Sequence, residues 1–327
     1  VEEGSGCPLG CRFCAAGFFY RPPRFRSLEA LRKSLETGAV DSNRIGLMAA
    51  AVSDVPYMEE LCQGALDRNL ELSFSSLRAN RITPEILSVL SQSGLKTVTI
   101  APDAGSERMR RVINKGITEQ DVLTAADLLV RAGIPNLKLY FMIGLPTETT
   151  DDVEAIVALC KQIKHQFLKA SRAAKKIGQI NVSLSSFIPK PFTPFQRVHL
   201  DDVKVLKEKI KHVKEGLRRV ANVRVHADVP KWAYIQALLS RGDRRTAQLL
   251  NDVHDNNGNW VKTLKASVIN PDFYVYRERP LDEILPWDFI DHGIKKAYLV
   301  EEYEKALQAK TSPACDVDLC KACGVCK

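Results

Sequence analysis

Gly6-Cys7-Pro8-Leu9-Gly10-Cys11-Arg12-Phe13-Cys14 brings three thiols together within eight residues, near the start of a chain of 327 residues. Pro8 and Gly10 interrupt regular structure, so this stretch predicts a loop whose three sulfurs converge on one object. A closed structural zinc site needs four ligands, whereas a 4Fe-4S cluster on three cysteines keeps one iron open. The loop therefore favours such a cluster. Zinc with a distant fourth ligand, or thiols that bind no metal, are the alternatives.

The same loop carries a family resemblance. Cys7 to Cys14, with Phe13 before the last cysteine, resembles the signature of the radical S-adenosylmethionine (SAM) enzymes. The longer run from Gly6 to Arg24 resembles the members that usually carry a cobalamin-binding domain upstream. The resemblance implies that Cys7, Cys11 and Cys14 hold a 4Fe-4S cluster and that Phe13 is among the cofactor-binding residues. Its open iron would chelate the methionine part of SAM, and one electron would cleave SAM to a 5′-deoxyadenosyl radical.

Strand and helix patterns alternate from residue 1 to about residue 197, which predicts a parallel sheet of the α/β class. Six strand–helix units favour an open, partial (β/α)6 TIM-like barrel over a closed one of eight units. Ser27, Thr83 and Thr118 are the predicted N-caps of three of the helices. We predict a radical SAM core barrel over 1–197, a mainly helical accessory region over 198–310 and a cysteine-rich metal-binding tail over 311–327. The full strands are expected near 44–50, 71–75, 97–100, 137–143 and 179–185.

Loops at the carboxyl ends of barrel strands carry the chemistry of such enzymes, and here they are rich in small and polar residues. The segments 102–118 and 140–149 resemble the strand-four and strand-five motifs of the cobalamin-associated group. The resemblance implies that Asp103, where Glu is common, reaches the SAM ribose, and that Arg78 and Ser106 contact polar parts of SAM.

The resemblance also implies that the backbone at Gly144, which has no Cβ, approaches the adenine side of SAM. Read from the residues alone, Arg78 equally fits a surface ion pair, and Asp103 and Ser106 equally fit turn and helix-cap roles.

A proline-rich segment, Ile188–Gln196, contains three prolines within six residues and resembles an element of the same family. Prolines so close together exclude a helix or a central strand, so we predict an extended strap. Phe192 and Phe195 would shield a radical site from water if the strap crosses the barrel mouth. A rigid linker that packs its aromatic rings is the alternative.

A second group of thiols closes the chain, at Cys315, Cys320, Cys323 and Cys326. Four thiols in twelve residues predict a metal site, either a second Fe-S cluster or a structural zinc site. The two remaining cysteines, Cys62 and Cys160, lie in apolar helical contexts and are predicted to be core thiols.

The formal net charge is +8, with basic runs at 161–176 and 204–219. Such runs are compatible with an RNA substrate, but few aromatic residues interleave them, which favours solvated helix faces.

No stretch reaches the roughly 20 apolar residues of a membrane span and no leader pattern is seen, so a cytoplasmic protein without a membrane partner is expected. The resemblance implies a low-potential electron donor such as flavodoxin or ferredoxin.

The sequence thus predicts a radical SAM enzyme. Cobalamin is implied only by the resemblance, and it would be supplied through a domain outside this chain. The chain starts with Val1 rather than Met, and we expect an upstream part. The reaction would be hydrogen abstraction or, with cobalamin, methylation of an unactivated carbon. The alternatives are a non-methylating radical SAM enzyme that modifies RNA or a metabolite, and a non-enzymatic metal, electron-carrier or RNA-binding protein. No residue identifies the substrate.

Overall fold

Residues 1–174 and 177–326 are described by the computed structural model, with the side chains of 172–174 outside that description. Lys175 and Lys176, part of the first basic run, therefore lie outside the described residues. Within the described part the strands are β1 Gly4–Ser5, β2 Arg24–Phe25, β3 Arg44–Leu47, β4 Glu71–Phe74, β5 Thr97–Asp103, β6 Asn136–Ile143, β7 Ile180–Ser186 and β8 Val223–Ala227.

The strands that follow the antiparallel pair β1–β2 line up in chain order, as an open barrel requires. β3 pairs in parallel with β4, and β5, β6, β7 and β8 form a four-stranded parallel sheet. Single parallel bridges, Glu2 with Met48 and Leu77 with Ile100, connect these groups. Among the described residues no pairing joins β8 back to the first strand. The predicted fold class, an α/β partial barrel, is confirmed.

Helices follow most of the strands and cover the outer face of the sheet. They are α1 Leu28–Ala39, α2 Met58–Asp67, α3 Pro84–Gln92, α4 Glu107–Val112, α5 Glu119–Arg131, α6 Thr150–Ala174, α7 Val203–Leu217, α8 Pro230–Arg241, α9 Thr246–Asp255, α10 Trp260–Ala266, α11 Pro271–Val275 and α12 Lys296–Leu307.

The predicted helix starts are confirmed by their capping contacts. Ser27 Oγ accepts a hydrogen bond from the Ala30 amide at 3.2 Å, and Thr83 Oγ1 accepts one from the Ile86 amide at 3.4 Å. Thr118 and Asp121 form a reciprocal capping box. Each cap pairs a donor that the first turn of a helix leaves free, which is why these helices begin where the sequence indicated.

The core lies between the sheet and its helices. Alternate residues of β6, from Leu137 to Ile143, are buried, as the two-residue period of a strand requires. Cys62 and Cys160 are fully buried there, which confirms them as core thiols. The prediction that the first basic run is a solvated helix face is wrong for Lys164 of α6. This residue is buried, and its ammonium lies 5.2 Å from the centroid of the Phe167 ring.

The strap Ile188–Gln196 packs its two phenylalanines differently. Phe195 is fully buried, with its ring centroid 5.7 Å from that of Phe187, whereas Phe192 is half-buried against His292. The sheet extends beyond residue 197, the predicted end of the barrel, because β8 at Val223–Ala227 pairs with β7. No helix among the described residues combines the length and the apolar character needed to cross a membrane.

Candidate functional site

The cysteine loop leaves β1 and turns back sharply on itself. Gly6 has φ +81°, and a Cβ there would lie 2.5 Å from the carbonyl oxygen of Tyr20, so only glycine fits this turn. The Cys14 amide donates to the Cys11 carbonyl at 2.9 Å, and the Arg12 amide donates to the Ile113 carbonyl at 3.0 Å. The loop is thereby fixed to the segment that follows α4.

The three thiols of this loop lie in a largely enclosed position. Cys7 and Cys11 are buried and Cys14 is half-buried. Burial raises the pKa of Cys7, and it raises the pKa of Cys11 to about 12; in both cases the neighbouring cysteines add to the effect. Thiolates in such a place need a cationic partner, and a metal centre supplies one.

The spacing of the thiols bears on the kind of metal centre. Across residues 1–174 and 177–326, no three His, Cys, Asp or Glu side chains converge closely enough to hold a single metal ion. A 4Fe-4S cluster is wider than one ion, because each of its cysteines binds a different iron. Three soft thiolates on one largely enclosed loop can each bind a different iron of such a cluster and leave its fourth iron open.

Lys115 is a functional candidate that the sequence analysis did not single out. It is a mostly buried cation whose ammonium contacts the Asp103 carboxylate at 2.5 Å, and Asp103 itself has φ +63°. Burial would lower the pKa of Lys115, but the charges of Asp103 and Cys11 outweigh burial and raise it. A fixed positive charge thus stands beside the cysteine loop. In the sequence Lys115 is one of many lysines, and the signals that could have singled it out are its place in the segment 102–118 and its position between Asn114 and Gly116.

Arg78 lies at the same rim but is not a surface residue. Its guanidinium donates to the carbonyl oxygens of Lys115 at 3.2 Å and Gly116 at 2.7 Å, and lies 3.9 Å from the Asp54 carboxylate. The side chain is only 13% exposed. The ion pair considered from the sequence exists, but it is largely enclosed, and Arg78 holds the Lys115 turn in place.

Ser106 performs the helix-cap role. Its hydroxyl accepts a hydrogen bond from the Met109 amide at 3.0 Å and donates one to Asp152 at 2.6 Å. Asp103 likewise occupies a turn conformation, at the end of β5. The structure thus gives both residues the structural roles weighed from the sequence, and Asp103 in addition faces Lys115.

Gly144 follows β6 with φ +76°, and its amide donates to Glu148 at 2.7 Å. A Cβ at this position would lie 2.8 Å from Leu206 of α7, so the close approach seen here is that of a helix. A cavity of about 520 Å³ adjoins it, lined in part by Lys209, which pairs with Glu148 at 2.8 Å.

Aromatic side chains stand around the cysteine loop. Phe13 is half-buried and packs against the cluster of Ala104 and Met109. Phe19, just past the cysteines, has its ring 5.5 Å from that of Phe192 in the strap, and Phe192 is 4.4 Å from the His292 ring. The rings of Phe19, Phe192 and His292 thus form an aromatic cluster that brings together three distant parts of the sequence.

The tail cysteines begin beside this loop. The Cys315 amide donates to the Pro8 carbonyl at 2.7 Å, which places the first tail cysteine against the loop that carries the first group of thiols. Burial raises the pKa of Cys315 to about 11; Arg21 opposes this effect, and the other three tail cysteines contribute to it. The structure therefore brings together the cysteine loop, Cys315 of the tail, Asp103 and the Lys115 turn. Ser106 and Gly144 also make contacts that pack helices.

Comparison with known proteins agrees with this geometry. Residues 1–160 match the sequence model described as the Radical SAM superfamily, and this range includes the cysteine loop, Arg78 and Lys115. An uncharacterized protein of Methanocaldococcus jannaschii is 36% identical over 298 residues, which cover 90% of this chain and 61% of that protein.

Two further relatives are more distant. An uncharacterized methyltransferase of Pyrococcus horikoshii is 24% identical over 176 residues, covering 50% of this chain and 36% of that protein. An anaerobic magnesium-protoporphyrin IX monomethyl ester cyclase of Rubrivivax gelatinosus is 25% identical over 156 residues, covering 46% of this chain and 28% of that protein. The chain thus spans less than two thirds of the length of each of these relatives.

Proposed function

Because residues 1–160 match the sequence model of the Radical SAM superfamily, we propose that the chain is a radical SAM enzyme that cleaves SAM reductively at a 4Fe-4S cluster held by Cys7, Cys11 and Cys14. The observation that carries the proposal is the buried three-thiol loop beside the Lys115–Asp103 pair. When bound, the cluster supplies one electron to SAM, which yields methionine and a 5′-deoxyadenosyl radical. Members of this superfamily need an electron donor, and a flavodoxin or ferredoxin would serve here.

The surrounding residues would bind and orient SAM. Lys115 is a fixed cation beside the loop, so it would attract the methionine carboxylate, and its contact with Asp103 fixes its position. Asp103 has a second carboxylate oxygen that can accept a hydrogen bond from a ribose hydroxyl. Arg78 would act through the Lys115 turn that it braces. Phe13, Ser106 and the backbone at Gly144 are likewise proposed contacts of the cofactor.

Methyl transfer is the reaction class we propose beyond SAM cleavage. Its support is the likeness to the Pyrococcus horikoshii protein described as a methyltransferase. Cobalamin would then come from a domain outside this chain. Hydrogen abstraction from RNA or a metabolite, without methylation, is the second candidate. An electron carrier without SAM chemistry is the third.

Product analysis separates these candidates. Anaerobically reconstituted protein is given SAM and a strong reductant, and 5′-deoxyadenosine and S-adenosylhomocysteine are measured by mass spectrometry. We expect 5′-deoxyadenosine from the unaltered chain and none from Cys14→Ala. Cys160→Ala is the matched control, because it removes a buried core thiol without touching the loop. If Cys14→Ala still produced 5′-deoxyadenosine, the assignment of Cys14 as a cluster ligand would be wrong. Production of S-adenosylhomocysteine that depends on cobalamin would support methyl transfer.

A second variant tests the role of Lys115. Lys115→Gln keeps a hydrogen-bond donor for Asp103 but removes the charge that would attract the SAM carboxylate. We expect the KM for SAM to rise by about tenfold or more, since one charge-assisted contact contributes about 1.5–3 kcal/mol. Lys115→Arg should recover part of this affinity. An unchanged KM in Lys115→Gln would exclude the contact with SAM.

A further inference from the structure

The tail is attached to the first cysteine loop by several hydrogen bonds. Besides the contact from Cys315 to Pro8, the Ser312 amide donates to Asn114 Oδ1 at 2.9 Å. The side-chain amide of Asn114 in turn reaches the carbonyl oxygens of Leu9 and Gly10, at 3.4 and 3.3 Å. One asparagine thus connects both cysteine segments.

Arg12, inside the first loop, makes a second connection. Its fully buried guanidinium pairs with Glu302 of α12 at 3.1 Å and donates to the Lys310 carbonyl at 2.9 Å. It also donates to the Val112 carbonyl at 2.9 Å. A buried charge with these partners fixes the start of the tail to the loop that would hold the first cluster.

The tail itself has little else to order it. Residues 311–326 form neither helix nor strand, and their main burial is at Cys323. Cys323 packs against Phe18, Ile294 and Leu299, and its carbonyl oxygen accepts a hydrogen bond from the Lys295 amide at 2.9 Å. The other three tail thiols, Cys315, Cys320 and Cys326, are half-buried. Such a short segment gains order from a metal centre far more readily than from its own apolar contacts.

We propose that Cys315, Cys320, Cys323 and Cys326 hold a second 4Fe-4S cluster that passes electrons to the first one. The site follows from the four thiols and their position, and the electron relay rests in addition on the proposed function of the first loop. Four protein ligands leave no iron open, so the second cluster binds neither SAM nor substrate through its iron. It is suited to electron transfer.

The direction of transfer follows from burial. In the first loop Cys7 and Cys11 are buried and only Cys14 is half-buried, whereas three of the four tail thiols are half-buried. A donor protein therefore meets the tail cluster before the first cluster. A reduced low-potential flavoprotein or iron–sulfur protein would transfer one electron to the tail cluster. The tail cluster would then pass that electron to the first cluster and return to its oxidised state.

Metal analysis of the full chain tests the site without any SAM chemistry. Protein purified anaerobically should hold about eight iron and eight sulfide, the sum of two 4Fe-4S clusters, and the Cys7/Cys11/Cys14→Ala triple variant should keep about four of each. Cys320→Ser/Cys326→Ser should also keep about four, all in the first loop. Cys160→Ala serves as the thiol-matched control and should lose none. Zinc, or no metal, in the triple variant would overturn the second cluster.

Electron transfer is tested by freeze-quenched electron paramagnetic resonance of the first cluster. A reduced flavodoxin or ferredoxin should generate its signal in the unaltered chain but not in Cys320→Ser/Cys326→Ser, whereas dithionite should generate it in both. Circular dichroism and thermal unfolding establish that this variant is folded. Equal reduction of both proteins by the donor would exclude the relay. This readout needs no SAM cleavage, so failure of the proposed function is distinguished from failure of the relay.

Discussion

Asp152 connects the start of α6 to the rim at the end of β5. Its carboxylate accepts hydrogen bonds from Ser106 Oγ at 2.6 Å and from the Thr149 amide at 2.9 Å, and it pairs with Arg108. Burial would raise the pKa of Asp152, but the hydrogen bonds from Arg108, Ser106 and Thr149 outweigh burial and lower it to about 2. The folded protein therefore favours the ionised carboxylate.

This shift predicts an acid-dependent contribution to stability. A carboxyl group with a lowered folded pKa stabilises the fold above its unfolded pKa, near 3.8, and loses that contribution as pH falls towards 2. Asp152→Asn should therefore lower the free energy of unfolding by about 2 kcal/mol at neutral pH. The difference between the two proteins should narrow below about pH 4.

Urea unfolding at several pH values measures the effect of Asp152→Asn. Asp127→Asn is the control, because Asp127 pairs with Arg131 on an exposed helix face and should change stability by less than about 0.5 kcal/mol. A difference for Asp152→Asn that stays constant with pH would mean that ionisation of this carboxyl is not involved.

Arg12 yields the second residue-scale prediction. Removing one member of a buried ion pair leaves the other charge without a partner, so Arg12→Ala should lower the free energy of unfolding by about 3–5 kcal/mol. Burial would raise the pKa of Glu302, but hydrogen bonds from Ser312 and Lys305 and the charge of Arg12 outweigh burial and lower it.

Chemical denaturation measures this loss for Arg12→Ala. Arg68→Ala removes a partner of Glu36 from an exposed ion pair and should cost about 1 kcal/mol or less. Similar effects of the two substitutions would show that the Arg12–Glu302 pair contributes no more than a surface pair.

Among the elements, α6 packs unusually close to the rim. A Cβ on Gly105 would lie 2.2 Å from the backbone nitrogen of Ile156 and 2.6 Å from the carbonyl carbon of Ala155. Backbone atoms cannot move aside as a flexible side chain can, so Gly105→Ala must push the helix away. We expect a loss of about 1–3 kcal/mol in the free energy of unfolding, the usual cost of overpacking.

Gly64→Ala in α2 is the matched control for this substitution. The nearest atom to a Cβ at Gly64 belongs to the Arg68 side chain, 3.7 Å away, and the helix gains an alanine. It should stabilise the protein by about 0.5–1 kcal/mol. Thermal unfolding measures the stability of both variants. If Gly105→Ala left the stability unchanged, α6 would have room to shift away from this position.

For the molecule as a whole, the two cysteine segments should gain order together. Hydrogen exchange followed by mass spectrometry compares the cluster-loaded protein with the metal-free one. Because Asn114 and Arg12 join residues 6–14 to residues 311–326, both ranges should become protected when the clusters are loaded. β6, at the centre of the sheet, is the internal control and should not change. Protection confined to one of the two ranges would contradict their coupling.

At the scale of the whole molecule, the structure shows where some of the positively charged side chains lie. The net charge of +8 is compatible with an RNA partner, but in the first basic run Lys164 is buried. Several other cations, among them Arg12, Arg78 and Lys115, serve internal contacts. These cations make internal contacts and are not available to a partner, and RNA is a proposed partner only.

The sequence alone determined the features that depend on neighbouring residues. Cap residues such as Ser27 and Thr118, the alternation of strands and helices, and the three thiols of the loop are local patterns, because capping and strand periodicity act over a few residues. The α/β partial barrel and the position of the cysteine loop at its rim could therefore be predicted, and the structure confirms the fold class.

Only the tertiary structure decided which distant residues meet. Lys115 faces Asp103 because β5 continues three residues past its predicted end and turns at Asp103 with a positive φ. Cys315 contacts Pro8 across some three hundred residues, because Arg12 and Asn114 bind the tail to the loop. Such contacts depend on how whole elements pack, and packing is a property of the assembled sheet and helices that no short stretch of sequence contains.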